Sequence, residues 1–561
     1  MKLSRPQILL LLLLNTAFVV ASGLDVPATD PVYRFLQRME NRGVITGYHD
    51  NMLPLKRDEI AGYLQDVQRN GQQLQMTEKT ILVEFIADYR WELQRQPHAD
   101  LDTTRAHSFP RINTPKLRRK AGDVFNRQNG QEEKHLWIYE KNHAFLWLDA
   151  GGGIQTENKS DQWRSLNYDK VQVRGQLGQQ LSFQLATDRF RKSWNPAFTD
   201  TLAEQNGKWG MYQSDSTFTF DDVYSSISYH HRLFDIGFHR QLLLWGPARR
   251  NGLLFSRSSS PLAYMEFSTQ YKAVRFRSIH ANLLNDSTAI KSAPMETRNL
   301  EKHIAAHRFD ISLLKNRLEI GLTDIVVYGG RGMELAYLSP VNFYWAIEHS
   351  LMDRDNSLLA FDFTAHPISN LNLYGTVLLD ELRFSEIGQK WWANKQAVQA
   401  GIRYAAYLSK TPVNLQLEFT AVRPWTYTHK DMLSNYSNNG FALGFPYGPN
   451  AQLWYLAVDS DLSRRCMLGA EAHYLRKGQD TADQTWGGDL QSSYLDRDKG
   501  YDNNTGWLMG DIRKSYVLLF SLRYEIFNDC YLLGRLRYEQ DHFQGKQTEQ
   551  TYLVAGLSVN I

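Results

Sequence analysis

Cysteine, net charge and long apolar runs are all scarce in this 561-residue chain, and each shortage removes a class of protein. Two cysteines, Cys466 and Cys530, cannot staple an exported chain of this length into a disulfide scaffold, and both read as small apolar fillers within strands. A formal net charge of +3 gives no basic surface of the kind nucleic acid requires. Beyond the N-terminus no stretch reaches the roughly 18 consecutive apolar residues of a spanning helix, and mean hydropathy is negative. A polytopic helical membrane protein is thereby excluded. A β-barrel is not, because its lumen face is polar.

What is plentiful is aromatic: 12% of residues, with 29 Tyr and 14 Trp, suited to interface girdles or sugar platforms. Residues 1–23 read as a secretory signal peptide. Lys2 and Arg5 precede an apolar run from Ile8 to Leu14 that continues to Val20, and the small residues Ala21-Ser22-Gly23 follow. Residues 24–100 carry helical spacing: Val32, Phe35, Leu36 and Met39 after Asp30-Pro31, then Ile60, Tyr63, Leu64 and Val67, then Leu82, Phe85, Ile86, Tyr89 and Leu93 from about Thr77. Three short amphipathic helices imply a small bundle on the periplasmic side, a cap or plug without activity of its own. Residues 101–142 form a polar, basic linker.

From His143 to Ile561 the period switches to two. The hairpin Asn356–Glu381 is the clearest case. Leu359, Phe361, Phe363 and Ala365 oppose Asp362 and Thr364, the turn lies in His366–Asn370, and Leu371, Leu373, Gly375, Val377 and Leu379 share the next arm's apolar face. About 18 such arms occur. Tight connections near Gly178, His231, Lys315, His366, Lys410, Asp461 and Asn528 alternate with long ones at Arg191–Asp221, Leu244–Tyr264, Gly329–Asn356, Arg423–Ala451 and Leu475–Gly510. Short turns on one rim and long loops on the other, with apolar faces nearly free of charge, predict a closed antiparallel transmembrane barrel of about 18 strands. Charges such as Arg174, Arg308, Asp310, Glu319 and Glu418 fall on the opposite face. The alternating last strand, Thr551–Ile561, fits the signal read by the barrel insertion machinery, although Ile561 replaces the usual terminal aromatic.

No catalytic constellation emerges, and no cofactor or metal is expected. His303 and His307 have a four-residue spacing, but on a strand and without the Glu of a metalloprotease. Gly329-Gly330-Arg331-Gly332 lacks the Lys-Ser/Thr and following helix of a phosphate loop. The long connections instead hold Trp245, Arg249, Arg250, Arg257, Trp345, Trp391, Trp392, Trp425 and Tyr427. Flat rings dock the apolar faces of sugars, and Arg pairs with carboxylates of acidic glycans. These residues are the candidate carbohydrate-binding set.

Leu244-Trp245-Gly246-Pro247, then Leu253-Leu254-Phe255-Ser256 and Ser260-Pro261, resemble the Trp-Gly-Pro region of the capsule assembly Wzi family. The order of signal, helical bundle and barrel resembles it too. The resemblance implies an outer-membrane lectin that holds capsular or other surface polysaccharide at the cell surface, surrounded by outer-membrane lipid and without enzymatic turnover. A diffusion porin is the alternative, and an outer-membrane enzyme is a further one.

Overall fold

The computed structural model describes residues 23–94, 135–141, 144–159, 162–194, 212–214, 216–258, 260–285, 301–352, 354–481 and 483–560. The signal region before Gly23, most of the 101–142 linker and part of the Arg191–Asp221 loop lie outside them. Eighteen antiparallel strands close into one barrel. They are β1 (Ala144–Lys159), β2 (Gln162–Leu177), β3 (Leu181–Trp194), β4 (Thr217–His231), β5 (Phe234–Gln241), β6 (Leu262–Tyr271), β7 (Val274–Leu283), β8 (Lys302–Leu313) and β9 (Leu318–Gly329). The second half comprises β10 (Asn356–Ile368), β11 (Leu371–Glu381), β12 (Lys395–Leu408), β13 (Thr411–Val422), β14 (Ala451–Ser463), β15 (Cys466–Gln479), β16 (Asp511–Phe527), β17 (Cys530–Phe543) and β18 (Lys546–Asn560). Closure comes from β18 pairing with β1, from Leu553 opposite Asn158 to Asn560 opposite Gly151.

The Asn356–Glu381 hairpin is β10–β11, with its expected bounds. Its turn is tighter than expected: β10 continues through Pro367 by a register shift after Ala365, and only Ser369-Asn370 turn, with Asn370 at φ 72°. Two long-rim connections are also short, at 160–161 and at Gln544-Gly545. Several strands outrun the apolar alternation at that rim, since backbone pairing persists where neither face needs to be greasy. The 101–142 linker is not all connector either. Trp137–Lys141 forms a strand paired with Ala144–Leu148 of β1.

Among the described residues four α-helices, not three, precede the barrel: α1 (Pro31–Asn41), α2 (Arg57–Arg69), α3 (Met76–Asp88) and α4 (Arg90–Gln94). Asp30 caps α1 through Val32 N at 2.9 Å, and Pro31 sits at the first turn, where its missing N–H costs nothing. The expected third helix breaks at Tyr89. The break lets Arg57 reach Glu92 at 2.7 Å and sets Trp91 edge-on to Phe145 of the wall, centroids 5.0 Å apart. The apolar stripes of α1 and α2 form one core that includes Val32, Leu36, Met39, Ile60 and Leu64.

This helical unit plugs the short-turn mouth. Arg34 donates to Asp459 and Asp461 at 2.9 and 2.6 Å, Arg38 to Asp461 at 2.6 Å, and the Asn41 carbonyl accepts from the Asn370 amide in the β10–β11 turn. The segment after α1 then enters the lumen. Arg277 of β7 donates to the carbonyls of Met52 and Pro54 at 2.9 and 3.1 Å, while His49 and Asn51 engage Glu319 of β9. Lys56 and Asp25 pair at 2.6 Å, and His239 and Gln241 of β5 lie 2.9 and 2.6 Å from the same carboxylate. Burial acts to raise the Asp25 pKa, but the Lys56 ammonium and His239 outweigh it and hold the group well below its ordinary 3.8. Its contribution to stability is therefore complete above that ordinary value and is lost only as acid protonates the folded state.

From the other side the 242–261 connection folds down into the lumen. Leu244-Trp245 pairs as a short strand with Met52-Leu53 of the plug, and Trp245, Leu253, Leu254 and Phe255 are all buried. Tyr427 and Tyr436 of the 423–450 connection donate to the carbonyls of Leu253 and Leu254 at 2.8 and 2.9 Å. A continuous apolar core of plug, loop and β6–β14 side chains thus packs within the lumen beneath the outer loops. Intact protein in a planar bilayer is expected to show no steady ionic conductance; open-channel current from the wild type would contradict this packing. Asp25→Ala, which strands a buried ammonium, should cost about 3–5 kcal/mol. It should be seen as faster tryptic release of the helical segment while the barrel remains intact.

Candidate functional site

Three connections meet above the filled lumen and form a cap: 382–394, 423–450 and 480–510. Buried cations tie them together. Arg423, just past β13, donates to the carbonyls of Asn394 at 2.7 Å, Trp391 at 3.2 Å and Thr505 at 2.9 Å, so one guanidinium holds all three. Burial lowers its pKa. Lys395 at the start of β12 is fully buried between Asp380, Glu381 and the Thr428 carbonyl. His429 beside it is pushed down to about 4 by burial and by the positive charges of Lys395 and Lys430, so it is neutral near pH 7.

Trp425 and Tyr427 both have positive φ, 66° and 76°, a conformation that bulky residues seldom take. Hydrogen bonds impose it: Trp425 N donates to Gly487 O at 3.1 Å, and Tyr427 N to the Asp380 carboxylate. Gly487 is itself at φ 70°, and a Cβ there would lie 2.6 Å from the Trp425 indole. Only glycine allows the ring to lie flat beneath that strand of loop.

Between these loops is a narrow cleft open to solvent. Its walls are aromatic: Trp392, Trp425, Trp486 and Tyr501, with Arg497, Asp498 and Gln484 supplying polar groups. Trp486 meets Tyr501 edge-on at 4.8 Å, and the Arg497 guanidinium lies 3.6 Å above the Trp392 ring while holding Asp502 at 2.8 Å. Such a site offers the exposed Tyr501 ring, the half-buried Trp486, two indole edges and a few oriented polar atoms for hydroxyls.

The nine residues singled out in the sequence are not brought to one place. Trp391, Trp392 and Trp425 belong to the cap; Trp392 and Trp425 are 7% and 3% exposed, so each shows the cleft little more than an edge. Tyr427 lies one layer below, fully buried. Trp245 is buried in the lumen core, where Gly246 at φ 90° donates to the Asn51 carbonyl, so the Trp-Gly-Pro turn joins loop to plug. Arg249 is paired with Asp50 of the plug and Arg250 with Glu471 at 3.1 Å. Arg257 is exposed, close to the positive charges of Arg250 and Arg249. Trp345 is 52% exposed on the outside of the barrel wall. Trp486, Arg497, Asp498 and Tyr501 were not singled out in the sequence. The Trp-Gly-Gly run at 486–488 and the turn-forming Asp498 were the available signals. His303 and His307 share one outward face of β8; His303 meets Asn282 at 3.0 Å and His307 meets Asp324 at 3.4 Å.

Among solved structures the fold is similar to Wzi, an outer membrane protein involved in group 1 capsule assembly in Escherichia coli and described as a carbohydrate-binding β-barrel. The TM-score is 0.59 at 13% identity, covering 96% of this chain and 99% of that one. At that identity the likeness speaks for the fold alone. Pseudomonas aeruginosa OpdK and OccK5 (OpdH) are more distant, with TM-scores of 0.42 at 10% and 8% identity; the matches cover 74% of this chain and 99% and 98% of theirs. No curated protein sequence matches significantly. The family model for capsule assembly protein Wzi, however, matches residues 153–552, nearly the whole barrel. This chain is an 18-stranded member of the capsule assembly protein Wzi family.

Proposed function

We propose that this protein holds capsular or another surface polysaccharide at the outer membrane through its loop cap, binding without turnover. The observation that carries this reading is the aromatic and Arg-bearing cleft at the long-loop rim above a lumen filled from both ends. A barrel obstructed by its own plug and loops favours surface contact as its means of action. Weak contacts of single sugars, multiplied along a polymer, supply the avidity that anchoring needs. The E. coli relative's description as a carbohydrate-binding barrel in capsule assembly supports the same reading. A diffusion porin needs an open lumen, and here the helical plug and the in-folded loop that pairs with it stand in the way.

In this reading residues 1–23 are a cleaved signal peptide, the short-turn rim with the helical unit of residues 24–100 faces the periplasm, and the cap faces outward. The 143–561 barrel is inserted by the outer-membrane machinery and surrounded by lipid. Within the candidate set, Trp391, Trp392 and Trp425 sit with the cleft, whereas Trp245, Arg249 and Tyr427 act by packing and pairing beneath it.

Binding of purified protein to polysaccharide isolated from the native host tests the proposal. Trp486→Ala and Arg497→Ala should each weaken binding about fivefold to tenfold, roughly 1 kcal/mol per lost ring or guanidinium contact. Trp345→Ala should leave it unchanged, and no new reducing ends should accumulate. Equal affinity in wild type and both cleft variants would remove the cap from the account, and release of reducing ends would turn it into an enzyme.

A further inference from the structure

The 330–355 connection between β9 and β10 does not stand at the rim with the other loops. It folds back over the outside of the wall as a strap carrying two short helices, Leu335–Leu338 and Tyr344–Ser350. Glu319 on β9 reaches the plug, so odd-numbered residues of β9 point inward and even-numbered ones outward. Tyr337 and Tyr344 of the strap pack on Val326 and Tyr328 of that outward face, and on Ala305 of β8.

The wall beneath the strap is polar, contrary to the nearly charge-free outer face expected from the sequence. Asp324 points outward, accepts from the Tyr344 amide at 2.8 Å and lies 3.4 Å from His307; His280 lies 2.7 Å from the Tyr328 hydroxyl. Facing hydrocarbon directly, such groups would cost up to a few kcal/mol each. The strap buries them: Asp324 is 2% exposed and His307 5%.

Lower on the same strands the wall is ordinary. Phe309, Ile311 and Leu313 of β8 are exposed and apolar. At about 3.3 Å per residue and a tilt near 40°, those three rows span only about 10 Å along the membrane normal, against a band of about 25 Å. By contrast β16 presents Tyr516, Leu518, Phe520, Leu522 and Tyr524 in succession. The strap's far face supplies the missing height: Leu335 is 77% exposed, Val341 87%, Met352 85% and Trp345 52%, with no protein over them.

We propose that the strap is a membrane-embedded element whose apolar far face lies against lipid acyl chains of the outer leaflet, continuing the lipid-facing band where the wall itself turns polar. This rests on the barrel's orientation given above, and not on polysaccharide binding. Continuity with the exposed apolar rows directly below it favours acyl chains over a second copy of the chain.

The test is spin-label accessibility in phosphatidylcholine vesicles. Single labels are placed through Leu335→Cys or Val341→Cys in a background carrying Cys466→Ala and Cys530→Ala. Leu322→Cys marks the lipid-facing wall and Asp498→Cys the wet cap. Labels at 335 and 341 should collide with oxygen several-fold more than with a water-soluble nickel chelate, as at 322. Accessibility like that at 498 overturns the proposal. So does exclusion of both reagents with dipolar broadening, the mark of a second copy. A wet label at 322 would instead strike the barrel reading itself. In a measurement that keeps the native cysteines, chain-brominated phosphatidylcholine should quench a smaller share of emission in Trp345→Phe than in wild type; equal shares would count against the strap's immersion.

Discussion

The requirement that no backbone amide or carbonyl be left unpaired in hydrocarbon governs this molecule. It is met where β18 returns to β1, Leu553–Asn560 against Gly151–Asn158. Closure separates two solvents, and every later feature answers to that division. Leu557, Phe520 and Phe361 face out, while Arg308 lies inside at 0% exposure, bridged to Asp362 at 2.6 and 2.7 Å and to Asp310 at 2.7 Å. An inward charge of this kind is tolerable only when paired and surrounded by partners. Plug residues supply such partners for other wall charges, as Glu59 does for Arg275 and Arg34 for Asp459.

Plug and loops meet inside the barrel. Helical plug, in-folded 242–261 loop and cap form one stack: Met52-Leu53 pairs with Leu244-Trp245, Leu253 and Leu254 accept from Tyr427 and Tyr436, and Arg423 ties the layer above. The cleft is therefore built on a packed foundation, which suits the polymer-holding surface proposed for it. The left-handed backbone at Trp425 and Tyr427 is sustained by that stack. Strain of this kind persists only where surrounding contacts over-determine it.

Much of the architecture could be read from alternation alone, because a strand between two solvents must alternate. Phe361 and Phe363 out and Asp362 in, the run of tight turns at one rim, and Arg308 and Glu319 on the lumen face all follow from period two. What could not be read was the folding of the long connections. Nothing local distinguishes Trp245, which packs in the lumen, from Trp345, which lies outside the wall, or from Trp486, which lines the cleft. The difference lies in long-range partners such as Met52 for the first and the β8–β9 wall beneath the strap for the second. The polar outer wall at His307 and Asp324 was equally illegible, because the rule it breaks is repaired by a segment some twenty residues further along.

The most direct measurement of the central claim is made in the native host. The gene is deleted, and cell-bound polysaccharide is compared with polysaccharide shed into the medium. If the capped barrel anchors the polymer, total synthesis stays constant while the balance shifts from bound to shed, and the wild-type gene restores it. Unaltered retention would contradict the anchoring role while leaving the closed barrel in place.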